Sequence, residues 1–224
     1  MAGPRHEVSR IESFSDAVFA FALTLLVVSL EVPKTMHELT QLMRGFLPFG
    51  ATFAMVCWIW YQHHTFFRRY AIHDGWTAAL NSALLFVVLF YVYPLKYVTL
   101  GGLGKLAQID PDRLPDMGNG RLVMYLYGMG VIVIFGLFAL LYQHAWRERT
   151  ELALTPEELV DVRFAQRGHL LSALVGVLSV TLLFVLRMDW APAVAGFVYF
   201  LFGPVHTFNG MAQSKALRKL HAKR

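Results

Sequence analysis

The chain has 224 residues, 56% of them hydrophobic and only 16% charged, with a mean hydropathy of +0.48. Soluble domains carry about 25% charged residues, so this composition belongs in a membrane rather than in water. The net charge of +5 does not point to nucleic acid, because the basic residues gather between apolar runs and at the two ends, as juxtamembrane charge does against anionic lipid.

Cys57 is the only cysteine and lies inside an apolar run, which excludes an intrachain disulfide or a cysteine cage for a metal. Arg5 and Arg10 precede an apolar stretch in the manner of a secretory signal. Asp16, however, interrupts the start of that stretch, and no Ala-x-Ala site precedes the polar turn at Pro33-Lys34. The segment reads as a retained first membrane helix.

A helix needs about 20 mostly apolar residues to cross the hydrocarbon. Six stretches qualify, approximately Ser13–Val32, Gly45–Phe67, Thr77–Tyr97, Leu122–Tyr142, Gly168–Leu186 and Ala191–Phe208. The last two are the shortest, and the tight turn Arg187-Met188-Asp189-Trp190 makes them a hairpin. The apolar runs are continuous rather than alternating, which argues against a β-barrel. The expected fold is an all-α integral membrane protein of six transmembrane helices, forming one domain over residues 1–224. No re-entrant filter loop is expected.

Orientation follows from Lys and Arg in the short loops. An even number of spans puts both termini on one side, which then holds thirteen basic residues, among them Arg5, Arg10, Arg68, Arg69, Lys223 and Arg224. The opposite side holds Lys34, Arg44, Lys96, Lys105, Arg113, Arg121 and Arg187, seven of the 20. Both termini should therefore be cytoplasmic. The segment from Leu100 to Gly120, rich in Gly, Pro and Asp, reads as an irregular extracytoplasmic loop. Thr155-Pro156-Glu157-Glu158 carries a helix-start signal and predicts a short cytoplasmic helix feeding the fifth span.

Chemistry concentrates in the first helix, where Arg10, Glu12 and Asp16 sit at the entry to hydrocarbon. Ionisable groups at that depth are costly unless paired. Ser13-Phe14-Ser15-Asp16 fits a Ser-x-x-Asp cap, with Asp16 favoured by the helix dipole. That leaves Arg10 and Glu12 unexplained. The other reading has Arg10 and Asp16 locking neighbouring helices at their cytoplasmic ends, fixing the rotation of the first helix. Phe14, Val18, Phe21, Leu25 and Val28 share one side of this helix with Thr24 beside them, while Asp16, Ala20, Leu23 and Val27 share another. Periodicity does not say which side meets water.

The second and third spans hold Trp58, Trp60, His63, His64, Asp74, Asn81 and Pro94. Consecutive His residues point about 100° apart on a helix and do not easily share one ion. His63 and His64 read as cytoplasm-side hydrogen-bonding residues, and Asn81 needs a partner, with the first helix a candidate. Gly203-Pro204 predicts a kink in the sixth span. There is no Thr-Val-Gly-Tyr-Gly filter, Walker loop, Gly-x-Ser-x-Gly elbow or regular Arg repeat.

The spacing Arg10-x-x-x-Phe14-Ser15-Asp16, continued by Ala17-Val18-Phe19-Ala20-Phe21-Ala22-Leu23-Thr24-Leu25-Leu26, closely resembles the first helix of one family. These are the endolysosomal-type potassium channels of bacteria, archaea and animals, which lack the usual potassium filter. Trp60-x-x-His63-His64, Asp74, Asn81 and Pro94 resemble its second and third spans, so the likeness covers about the first 95 residues. It implies a potassium-permeable pore on a four-fold axis. With one six-span repeat in the chain, it also implies a homotetramer in the cell (inner) membrane. It implies no cofactor, no metal beyond the permeating K⁺, no enzyme activity and no nucleic-acid partner.

In that family the first helices line the pore and an aliphatic ring seven positions after the motif Phe is tightest. Here that position is Phe21, a departure from the family's isoleucine or leucine, and Thr24, Leu25 and Val28 continue the line. Arg10, Phe14, Ser15 and Asp16 are carried over as gate supports, with Trp60, His63, His64, Asp74 and Asn81 as the polar network behind them. A moderate preference for K⁺ over Na⁺ is expected. A secondary transporter is the alternative, hinted at only by Gly203-Pro204. An intramembrane enzyme would need His63, His64, His144 and His206 to converge.

Overall fold

The computed structural model describes residues 10–72, 74–116 and 118–222, and among these there are helices and no strand. Arg5, Lys223 and Arg224, used above for orientation, lie outside the described residues. The helices are α1 (Arg10–Val28), α2 (Met36–Arg44), α3 (Phe46–Tyr70), α4 (Gly75–Leu103), α5 (Gly120–Arg147), α6 (Pro156–Val185), α7 (Ala191–Phe197) and α8 (Phe202–His221). Among the described residues, α1, α4, α5, α6 and the combined stretch Ala191–His221 are each long and apolar enough to cross a membrane. The pair α2 and α3, bent by 43° at Gly45, supplies a sixth span when taken together.

Several bounds differ from the sequence expectation, each for a local reason. The chain does not loop freely from Pro33 to Gly45. Thr35 caps α2 by accepting the Glu38 N–H at 3.1 Å, and the Glu38 carboxylate accepts the Lys34 N–H at 2.6 Å. The expected short helix after Thr155 and the fifth span are one 30-residue helix, α6, opened by a capping box between Thr155 and Glu158 with Pro156 in its first turn. The fifth span is thus among the longest rather than the shortest. In the last span the irregular turn is Val198–Leu201, a 3₁₀ segment just before Gly203-Pro204. Pro204 has no N–H for the carbonyl four residues back, so the turn preceding it tightens.

The core runs between the helices, through Phe19 and Leu26 of α1, Phe66 and Phe67 of α3, Leu84 and Val88 of α4, and Ile134 and Phe138 of α5. Helices α5 and α6 form the most extensively packed pair. They approach at Gly128 and Gly176, where a Cβ on Gly176 would stand 3.3 Å from the Gly128 carbonyl oxygen. Arg121, in the first turn of α5, closes the far end of α6 by donating to the carbonyls of Leu183, Leu186 and Met188 at 2.5, 2.8 and 2.9 Å. The carbonyls of Leu183 and Leu186 at the helix end are thereby satisfied, and the Met188 carbonyl, which also accepts the Ala191 N–H at 3.1 Å, ties the following turn to the same guanidinium.

Candidate functional site

Helix α1 has two unlike faces. Ser15, Phe19, Ala22 and Leu26, spaced four, three and four apart, are buried where α1 packs on α3 and α4. The opposite face is left open by the chain's own helices, with Phe14 62%, Phe21 55% and Val28 72% exposed. Thr24 lies on this open face, its hydroxyl donating to the Ala20 carbonyl at 2.9 Å, and Leu25 is half-buried at its edge.

Behind the buried face, a chain of hydrogen bonds joins three helices. The Ser15 hydroxyl donates to the Ile11 carbonyl at 2.7 Å and accepts the Asn81 amide of α4 at 3.0 Å. The Asn81 carbonyl oxygen then meets Nε2 of His63, from α3, at 2.7 Å. Because the Asn81 oxygen only accepts, Nε2 is the protonated ring nitrogen of His63. Its ring lies 5.4 Å from that of Phe19 and 4.6 Å from that of Phe67.

A second link crosses from α3 to α1 one turn away. The Trp60 indole N–H donates to the Asp16 carboxylate at 2.7 Å, and His64 stacks on the same indole with ring centroids 5.4 Å apart. Ser13 is therefore not the cap of α1. The helix is already formed at Arg10, and Asp16 lies in its second turn with a partner on another helix. Arg10 is exposed at the head of α1 and, among the described residues, forms no ion pair with Asp16.

Asp74 stands apart from this cluster. It caps α4 by accepting the Thr77 N–H at 2.8 Å and meets Nε2 of His144, on α5, at 2.6 Å. Partial burial works against its ionisation, but the hydrogen bonds from Thr77 and His144 outweigh that and hold the carboxyl below its ordinary value. The histidines do not converge, since His63 pairs with Asn81, His64 with Trp60, His144 with Asp74, and His206 with Ser172 at 3.0 Å. Among the described residues no three His, Cys, Asp or Glu side chains are grouped to hold a metal ion.

Sequence reasoning missed the other end of α1. There, Nζ of Lys96 on α4 donates to the Ser29 carbonyl at 3.1 Å and to the Ser29 hydroxyl at 2.6 Å. It had counted Lys96 as a loop charge. The available signal was a lysine within the third apolar run, Thr77–Tyr97; the structure carries that helix on to Leu103.

The model of the family described as endosomal/lysosomal potassium channel TMEM175 matches residues 10–91, which contain α1, α3 and both links to it. A potassium channel of Marivirga tractuosa is 38% identical over 224 residues, spanning 95% of this chain and 90% of that protein. A potassium channel of Chamaesiphon minutus is 36% identical over 101 residues, 42% of this chain and 50% of the relative. Among solved structures, a variant of the potassium channel MtTMEM175 bound to a nanobody–MBP fusion superimposes with a TM-score of 0.80 at 36% identity, over 94% of this chain and 95% of that one. A lysosomal potassium-selective TMEM175 homolog from Chamaesiphon minutus gives a TM-score of 0.50 at 26% identity, over 88% and 99%. The similarity thus extends through the later spans as well as the first three, and the chain belongs to the TMEM175 family of potassium channels.

Proposed function

We propose that this protein is the subunit of a homotetrameric potassium-permeable channel in the cell membrane, with both termini cytoplasmic and the α1 helices of four copies lining the pore. The observation that carries this reading is the asymmetry of α1. One face is fixed to α3 and α4 by Ser15, Phe19, Ala22 and Leu26, while Phe14, Phe21, Thr24 and Val28 are left without cover from the chain's own helices. A four-fold axis along that open face brings four copies of each residue together. Phe21 then forms an apolar ring, and Leu25 and Val28 continue the wall.

Such a ring opposes ion passage by dewetting and penalises tightly hydrated Na⁺ more than K⁺. The Thr24 hydroxyl oxygen, whose proton is directed to Ala20, offers a lone pair to a partly dehydrated ion. The outcome is a moderate preference for K⁺, with no cofactor. Ser15, Asp16, Trp60, His63, His64 and Asn81 hold the inner half of α1 at one rotation, and Asp74 does the same for the start of α4. Arg10 and Phe14 mark the cytoplasmic entry.

The test is K⁺ and Na⁺ flux through purified protein in liposomes, together with the mass of the detergent-solubilised particle. Fast, non-saturating flux favouring K⁺ from a particle of four chains supports the proposal. Flux that saturates with ion concentration is the behaviour of a carrier, and a monomeric particle has no shared axis; either result overturns it.

A further inference from the structure

The polar links at Ser15 and Asp16 fix only one end of α1. The other end ends at Val28, where the last carbonyls of the helix have no partners within it. Ser29 turns back on the helix, its N–H reaching the Leu25 carbonyl at 3.1 Å and its hydroxyl the Leu26 carbonyl at 2.7 Å. Its own carbonyl and hydroxyl oxygens both accept from the Lys96 ammonium. A cation there also complements the negative end of the helix dipole. Close by on α4, Thr99 shares a buried 2.6 Å hydrogen bond with Thr52 of α3, so the turn that carries Lys96 is itself anchored.

Spacing makes the two ends a matched pair. On α1 the anchored residues are Ser15 and Ser29; on α4 they are Asn81 and Lys96. At 1.5 Å of rise per residue these separations are about 21 and about 22 Å, so two parallel helices satisfy both links without bending.

We propose that Lys96 is a positioning residue for the pore helix, fixing the rotation of the outer half of α1 so that Thr24 and Val28, rather than Val27, face the axis. This rests on the reading of α1 as the pore helix. Val28 at 72% and Val27 at 51% are both left exposed by the chain's own helices, but adjacent helical residues differ by about 100° in direction, so losing the outer anchor changes which of the two meets the axis. The ammonium does not touch the ion; it acts through Ser29.

The experiment reads α1 rotation directly and needs no conduction. Full-length protein carrying Cys57→Ser receives Val27→Cys or Val28→Cys and is treated in liposomes with a water-soluble thiol reagent. With Lys96 intact, the cysteine at position 28 should react about tenfold faster than that at 27, because labelling follows access of the thiolate to water. Lys96→Met should collapse that ratio and lower the K⁺/Na⁺ flux ratio, and Lys96→Arg should restore both. Ser29→Ala, which keeps the backbone acceptor, should shift the labelling ratio part of the way, and it serves where Lys96→Met does not fold. A labelling ratio unchanged by Lys96→Met or by Ser29→Ala overturns the proposal. Equal labelling at 27 and 28 with Lys96 intact contradicts the pore reading itself, and the proposal falls with it.

Discussion

Trp60 holds Asp16 through its indole N–H at 2.7 Å, joining α3 to α1 where α1 carries its charged residues. Trp60→Phe keeps a ring against His64 but leaves the carboxylate without this donor. A hydrogen bond to a charged group contributes about 1.5–3 kcal/mol, and thermal unfolding in detergent should show a loss of that size. Asp16→Asn should cost less, because the amide oxygen still accepts. Equal stability of Trp60→Phe and the parent would show that the link carries no weight.

The chain from His63 through Asn81 to Ser15 acts as a unit, since Asn81 is both acceptor and donor within it. Asn81→Leu leaves the buried His63 Nε2–H without its acceptor, and His63→Leu leaves the Asn81 carbonyl without its donor. The two single losses should not add. A double-mutant cycle read from unfolding midpoints should give a coupling of about 0.5–3 kcal/mol. Strict additivity would mean that the two side chains are energetically independent.

Packing offers a contrast on one helix, α5. A Cβ on Gly130 would lie 1.9 Å from the ring of Tyr91, which is buried and bonded through its hydroxyl to the Tyr127 carbonyl at 2.6 Å. Gly136 has nothing within 4 Å of the same position. Gly130→Ala should therefore destabilise by about 1–3 kcal/mol through overpacking. Gly136→Ala should be neutral or gain up to about 1 kcal/mol from helix propensity. The pair is checked by unfolding in one detergent, and the reverse order would contradict the packing of α4 on α5.

Acid should loosen the junction between α4 and α5. The Asp74 carboxyl is lower in the folded than in the unfolded chain, so its contribution to stability is complete above its ordinary value of 3.8 and is lost as pH falls through the lower folded value. Melting points measured between pH 6 and pH 2 should fall below about pH 4, and Asp74→Asn should flatten that fall. A curve that Asp74→Asn leaves unchanged would remove Asp74 from this role.

Much of the fold was legible because long apolar runs leave few alternatives in a bilayer. The polar nine-residue helix α2 was not, although Thr35-x-x-Glu38 spells its cap; beside a Pro-Lys turn its low hydrophobicity reads as loop. Within α1, periodicity drew two stripes, but the buried face runs through Ser15, Phe19, Ala22 and Leu26, which belong to neither, and Val18 of the first stripe packs against the core. That assignment depends on which helix lies alongside, and Ser15 is buried only because Asn81 meets it. Asn81 announced its need for a partner by being an amide in an apolar run. The bonds from Lys96 to Ser29 and from His144 to Asp74 span 67 and 70 residues, and nothing local names the partner of either.

The measurement that bears most directly on the open face of α1 is paired K⁺ and Na⁺ flux in liposomes for the parent, Phe21→Ala and Phe90→Ala. Phe21 and Phe90 are both exposed, at 55% and 72%, but Phe90 lies on α4, outside the proposed pore wall. Phe21→Ala should widen the ring, raise flux and reduce the K⁺/Na⁺ ratio, while Phe90→Ala leaves both as they were. Unchanged rate and ratio in Phe21→Ala, or the same change in both variants, would contradict a constriction formed by Phe21.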